Sequence, residues 1–154
     1  MIVYLGGAID LAGPKGQDWK TKVKEELKNK GITCIDPAGA FSYARSNNKE
    51  DRVGTAQTII AINKFSLENS NMAIIVINKN VPSVGTPIEL KLCADELIPH
   101  VVVWDGHHQE LPVYVEGLAN KIVYTLEDAI KWAIEYKYSE INNNPDYGVG
   151  VDSE

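Results

Sequence analysis

The chain has 154 residues, a formal net charge of −6 and 23% charged residues, which suits one soluble globular domain with a sizeable core. That charge excludes a nucleic-acid polymer as the main partner, because a phosphate backbone demands clustered Lys and Arg. No apolar run nears the roughly 20 residues of a membrane span, and Met1-Ile-Val-Tyr-Leu5 lacks the basic stretch of a signal peptide. Cys34 and Cys93 form neither a metal-type nor a redox-type pair, so a reduced, cytoplasmic protein is expected.

Strand and helix patterns alternate from the first residue. Ile2–Leu5 reads as a strand, followed by the loop Gly6-Gly7-Ala8-Ile9-Asp10. A helix is predicted from Gln17 or Asp18, with Trp19, Val23 and Leu27 on one face, lysines on the other and Gly31 as its stop. Ile32–Ile35 is a second strand, ended by Asp36-Pro37; residues 38–54 are polar and read as a long loop. A helix from about Thr55 to Glu68 leads into Met72–Ile77, a continuous apolar run suited to a central parallel strand. A helix carrying Glu89 follows, then a strand at Val101–Trp104, a loop at 105–117, a short strand at Lys121–Tyr124 and a last helix. Thr125 caps that helix, with Asp128 three residues on and Ala129, Ile130, Ala133 and Ile134 facing the core.

Repeated βα units with buried strands imply an α/β protein of one domain. Its expected form is a flavodoxin-like, doubly wound, five-stranded parallel sheet in the order 2-1-3-4-5. Residues 1–140 form the expected domain and 141–154 a polar, acidic tail. Ligands of such sheets bind past the carboxyl ends of the strands, near the switch between strands 1 and 3. Tyr4, Gly6, Asp10, Asp36 and Glu89 should therefore converge there. Within Val81-Pro-Ser-Val-Gly-Thr-Pro-Ile-Glu-Leu90, Pro87 suits a helix N1 position, which puts Glu89 in the first turn. There the helix dipole would favour its ionised form. Acids are common in first turns for that reason alone; the alternative is a carboxylate poised to attack carbon.

The ordered set of motifs resembles the nucleoside 2-deoxyribosyltransferase family. The set comprises Tyr4-Leu-Gly-Gly-Ala-Ile9 with Asp18-Trp19, the Asp36-Pro37 turn, Asn69-Ser-Asn-Met-Ala-Ile-Ile-Val76, and Gly85-Thr86-x-x-Glu89-Leu90. The resemblance implies that Glu89 is the nucleophile, that Tyr4 orients its carboxylate, and that Gly6, Gly7, Ala8, Ile9 and Asp10 help to line the pocket. It also implies a small-molecule nucleoside or nucleoside monophosphate as substrate, and a homodimer or higher homo-oligomer with sites near subunit interfaces. No metal or organic cofactor is implied.

Two features bear on the reaction and the substrate. Asn63 stands where the family commonly places an acid linked to base protonation or sugar binding, and Asn cannot deliver a proton. Asp10 or Asp36 could replace that acid, the base could leave without strong acid help, or the chain could be a silent nucleotide-binding module. Pro82-Ser83-Val84-Gly85 resembles the related deoxynucleoside monophosphate N-hydrolases, in which the Ser contacts a 5′-phosphate. Asp10, however, stands where those hydrolases carry an Arg, and a carboxylate near phosphate is unfavourable even with Lys15 close in sequence. The balance favours a nucleoside. Gly85-Thr86-x-x-Glu89 also resembles cytokinin-activating phosphoribohydrolases, whose paired-glycine lead-in is missing.

The remaining candidates favour ordinary roles. His107-His108 reads as a solvated loop rather than a metal site, and Trp19 and Trp132 as core residues. Trp104 either packs or stacks on a base, packing being the commoner outcome for an aromatic at a strand end. Gly6-Gly7 is not a dinucleotide fingerprint.

Overall fold

Alternation along the strands divides the interior into two layers, one on each face of a parallel sheet. The computed structural model describes residues 1–7, 18–36, 49–81 and 83–143. Its elements are β1 (Ile2–Gly6), α1 (Asp18–Lys28), β2 (Thr33–Ile35), α2 (Lys49–Glu68), β3 (Met72–Ile77) and α3 (Gly85–Asp95). They continue with β4 (His100–Trp104), a 3-10 turn (His108–Glu110), α4 (Val113–Leu118), β5 (Lys121–Val123) and α5 (Leu126–Asn143). The five strands are ordered β2-β1-β3-β4-β5, as expected, and each neighbouring pair is parallel.

Successive side chains of a strand point to opposite faces. Val3 and Leu5 of β1, Ile74 of β3 and Val101 of β4 therefore share one layer with Val23 and Leu27 of α1 and Ala129, Ile130 and Ala133 of α5. Tyr4, Ala73, Ile75, Val102 and Trp104 share the other with Leu67 of α2, Leu90 and Cys93 of α3 and Val115 of α4. Each fully enclosed Val, Leu or Ile contributes roughly 1.5–3 kcal/mol by leaving water. β1 and β3 sit inside the sheet with layers on both faces, so their sequences are apolar almost throughout.

Local signals act where the sequence places them. Gly31 takes φ 70° just past α1, a left-handed conformation that disfavours a Cβ. Thr125 Oγ1 accepts the backbone N–H of Asp128 at 3.1 Å, capping α5. His100 is fully buried, its Nδ1 2.8 Å from the Ile98 carbonyl and its Nε2 2.8 Å from that of Leu118. The ring thereby joins the start of β4 to the end of α4.

Three boundaries differ from the expectation. α2 begins at Lys49 rather than near Thr55. Its first turns contain Gly54, whose cost of about 1 kcal/mol within a helix did not end the element. The stretch 105–117 is not a plain loop, because it holds the 3-10 turn and most of α4. α5 runs to Asn143, so helix extends past residue 140, where a tail was expected. Residues 144–154 lie outside the described residues, as do 37–48 of the expected long loop. Among the described residues, no helix is long and apolar enough to cross a membrane.

Candidate active site

The candidate site is assembled from β1 and α3, two elements far apart in sequence. Tyr4 is buried in the middle of β1, and its hydroxyl donates to Glu89 Oε1 at 2.8 Å across 85 positions of sequence. The other carboxylate oxygen, Oε2, is buried and has no hydrogen-bond partner. It lies over Gly6: a Cβ built there would stand 2.6 Å from Oε2 and 2.9 Å from the Ile75 side chain. Glycine at position 6 is what lets the carboxylate approach the strand. The next residue, Gly7, has the Trp19 ring 3.0 Å from the place of a Cβ, so α1 packs against the strand end.

The helix bearing Glu89 starts earlier than Pro87 suggested. Val84 is the N-cap and Gly85 the first helical residue, so Pro87 falls at N3 and Glu89 one turn in; the first turn holds no acid. Proline is tolerated at N3, because the first helical N–H groups all lack an intrahelical acceptor. Ser83 Oγ accepts the Thr86 N–H at 3.2 Å and lies 2.8 Å from Thr86 Oγ1, so this serine closes the helix entrance.

The expected dipole stabilisation of an ionised Glu89 gives way to burial. Desolvation pushes its pKa up from 4.5 to about 7, against the opposing effects of the Tyr4 hydrogen bond and the positive charge of Lys20. Tyr4 is driven well above the ordinary phenol range, first by burial and then by Glu89, so its hydroxyl remains a donor. One turn along α3, the buried Cys93 thiol is pushed up to about 12 by burial and by Glu89, and stays neutral.

Asp36 reaches the same end of the sheet but is engaged by lysines. Lys20 Nζ lies 2.9 Å from its Oδ1 and Lys24 Nζ 3.0 Å from its Oδ2. Burial raises its proton affinity, yet the bonds from Lys20 and Lys24 outweigh this and hold it below the ordinary range. It is therefore no source of protons near neutrality, contrary to one of the roles considered for it. Asn63 is not an exposed polar position on α2, because its Oδ1 is buried and lacks a partner. Among the described residues, the two buried side-chain oxygens without a hydrogen bond are this atom and Glu89 Oε2.

The structure brings Tyr4, Gly6 and Glu89 together, with Gly7 beside them against Trp19. Gly85 stands at the start of α3 with open space around it, and Ser83 just before it. Ala8, Ile9, Asp10, Lys15 and Pro82 lie outside the described residues. Trp104 packs in the core, 4% exposed, with its indole N–H donated to the His107 carbonyl at 3.0 Å. His107 heads the 3-10 turn, and His108 Nδ1 lies 2.9 Å from the Tyr124 hydroxyl.

Lys20 was not anticipated. Its signal is its position three residues before Val23 and seven before Leu27, on the helix face that is otherwise apolar. A lysine on such a stripe needs a buried counter-ion, and Asp36 supplies it.

No protein-family model matches the sequence, and no curated protein matches it. Solved structures do. A 2-deoxyribosyltransferase from Bacillus psychrosaccharolyticus superposes with TM-score 0.65 at 15% identity, over 83% of this chain and 89% of that one. A 2-desoxiribosyltransferase from Leishmania mexicana gives 0.64 at 15% identity, over 88% and 97% of the two chains. The chain has the fold of these enzymes. A CMP N-glycosidase from Clostridium botulinum shares it too, with TM-score 0.57 at 14% identity over 88% and 99% of the chains.

Within this deoxyribosyltransferase-type fold the enclosed acid has a consequence for stability. Glu89 holds its proton more tightly folded than unfolded, so its favourable contribution is complete below about pH 4.5 and is lost as pH rises through about 7. Above that pH the ionised group opposes folding by on the order of 3 kcal/mol. Glu89→Gln should therefore be more stable than the parent at pH 8, with the advantage disappearing toward pH 4.5. Urea unfolding at both pH values reads this, and a pH-independent difference would exclude an enclosed, titrating Glu89.

Proposed function

We propose that the chain is an enzyme that cleaves or exchanges the N-glycosidic bond of 2′-deoxynucleosides, with Glu89 as nucleophile. The observation that carries this reading is the buried carboxylate whose one oxygen is held by Tyr4 while the other is unpartnered above Gly6. In this reading Oε2 attacks C1′ of the sugar, which passes through an oxocarbenium-like transition state. The C1′–N bond breaks with its electron pair leaving on the base, the C1′–O bond forms, and the base takes up a proton. Tyr4 fixes the carboxylate and leaves Oε2 free to react. The sugar then passes from Glu89 to a second base, giving transfer, or to water, giving hydrolysis.

The shared fold with two deoxyribosyltransferases and an N-glycosidase supports the reaction class. Asn63, with its unpartnered buried oxygen, suits a hydrogen-bond acceptor for sugar or base and not an acid. The base's proton then comes from Asp10 or from solvent. In this reading Gly6, Gly7, Ser83 and Gly85 line the entrance, and Asp36, engaged by Lys20 and Lys24, does not act as the acid. Ser83 Oγ is engaged by the Thr86 N–H and hydroxyl, and the reading takes a nucleoside over a monophosphate because the carboxylate of Asp10 is unfavourable beside a phosphate.

Self-association fits the same reading. Ile60 and Phe65 on α2 are each 67% exposed, and Val84 and Ile88 beside Glu89 are 80% and 63% exposed. Their helices share one side of the sheet, and apolar groups displayed this way suit a subunit interface. Sedimentation equilibrium should give a dimer or larger, weakened by Phe65→Lys; a monomer at all concentrations would remove the interface.

Incubation with a deoxynucleoside and a second free base, followed by chromatography, tests the reaction. A new nucleoside means transfer, free base alone means hydrolysis, and no change supports a silent binding module. Glu89→Gln should abolish turnover in a folded protein. Tyr4→Phe should lose about 10- to 1,000-fold, as for removal of a positioning hydrogen bond. Near-normal rates in the Glu89 variant would exclude the proposed nucleophile.

Sugar selectivity follows from the same chemistry. A 2′-hydroxyl withdraws electrons from the oxocarbenium-like transition state and must fit beside the attacking oxygen. The 2′-deoxynucleosides should therefore react much faster than ribonucleosides. Comparable rate constants for adenosine and 2′-deoxyadenosine would point instead to a ribonucleoside glycosidase.

A further inference from the structure

The sheet ends at β5, and among the described residues no strand pairs with its outer edge. Such an edge offers a row of backbone N–H and C=O groups to another strand. Beside it, between β5 and α5, runs a groove of about 360 Å³ lined in part by Lys121, Val123, Tyr124, Lys131 and Trp132. Val123 belongs to the layer under α1 and α5, so the groove opens on that face of the sheet. Trp132 is half-buried there, stacked on Tyr136 with the ring centroids 6.0 Å apart.

The chain continues past α5 with Asn144-Pro145-Asp146-Tyr147-Gly148-Val149-Gly150-Val151-Asp152. Pro145 opposes continuation of the helix. Tyr147, Val149 and Val151 then alternate with Gly148 and Gly150, which is the period of a strand with one apolar face. Extended, these five residues span about 17 Å, enough to pass all of β5, which has 3 residues.

The hand of the connections decides whose edge that segment can meet. α1, which joins β1 to β2, lies on the same face as α5. Right-handed crossovers on that face step from β1 toward β2, whereas α3, on the other face, steps from β3 toward β4. A right-handed step from β5 over α5 therefore leads back to the place that β4 fills. To lie outside its own β5 as a parallel strand, the segment would need a left-handed crossover, which sheets avoid. α5 also carries the chain about 12 Å beyond Glu135 of the groove before the segment begins.

We propose that residues 146–152 of one copy add as a sixth strand to the β5 edge of a second copy, with Tyr147, Val149 and Val151 seated in the groove over Trp132. Main-chain hydrogen bonds to β5 supply the attachment, and the alternate side chains set the register. On the α5 side the apolar side chains meet Val123 and Trp132, while the glycines fall on the other side. The exchange is reciprocal, so a two-fold pair covers both edges and both segments. It is independent of the reaction assigned to Glu89, and of the α2 and α3 surface, which belongs to the other layer.

Hydrogen exchange on the full chain reads the edge directly. The β5 amides that point away from β4 should be protected at high protein concentration and exchange about tenfold faster, or more, once dilution separates the copies. Val149→Asp with Val151→Asp, outside the described core, should remove that protection while β3 stays protected. The same variant should weaken association in sedimentation by about tenfold or more. Phe65→Lys should leave β5 protected; loss of protection there would assign the association to α2 and overturn the proposal. Protection that survives the double valine variant excludes the segment as the added strand. Protection that the variant removes but dilution does not would mean that the segment pairs with its own β5, which overturns the exchange. Edge amides that are open at every concentration overturn the docking site itself.

Discussion

A carboxylate enclosed with one oxygen held and the other unpartnered is the constraint around which this end of the molecule is organised. Enclosure strips water from Glu89 and raises its pKa to about 7. Three features work against that cost or make use of it. Tyr4 gives one oxygen a strong donor, Gly6 makes room for the other, and Lys20 supplies positive charge. None of these residues is near Glu89 in sequence. They meet because parallel strands deliver their carboxyl ends to one edge.

The layering explains how one strand serves both purposes. Along β1, Val3 and Leu5 enter the layer under α1 and α5, while Tyr4 enters the layer under α2, α3 and α4. Tyr4 is thus a core residue and a site residue at once. Its ring is held by packing, and its hydroxyl is left to hold Glu89. A group fixed this way loses little freedom when it orients Glu89, which is what a positioning donor requires.

The strand order and the two layers were legible in the sequence, because buried parallel strands are continuous apolar runs and their spacing is regular. The pairing of Tyr4 with Glu89 was reachable through a family resemblance; composition and periodicity alone would not have given it. The register of the Glu89 helix was misread because proline, though commonest at N1, is tolerated throughout the first turn, where N–H groups have no intrahelical acceptor. The ionisation of Glu89 was misjudged for a related reason: a dipole argument needs the position in the turn, and burial is a tertiary quantity. Lys20 was missed because a lysine among lysines reads as solvated surface. Only the partner at the end of β2 reveals that this one points inward.

The 85-residue separation between the two oxygens that define the site has a kinetic meaning. Closing that span costs loop entropy that only a largely assembled sheet repays. β1 must already lie beside β3, and α3 must already be docked, before the phenol and the carboxylate can meet. The Tyr4–Glu89 contact is therefore a late property of the folding chain, and a growing polypeptide lacks it until α3 has been synthesised and packed.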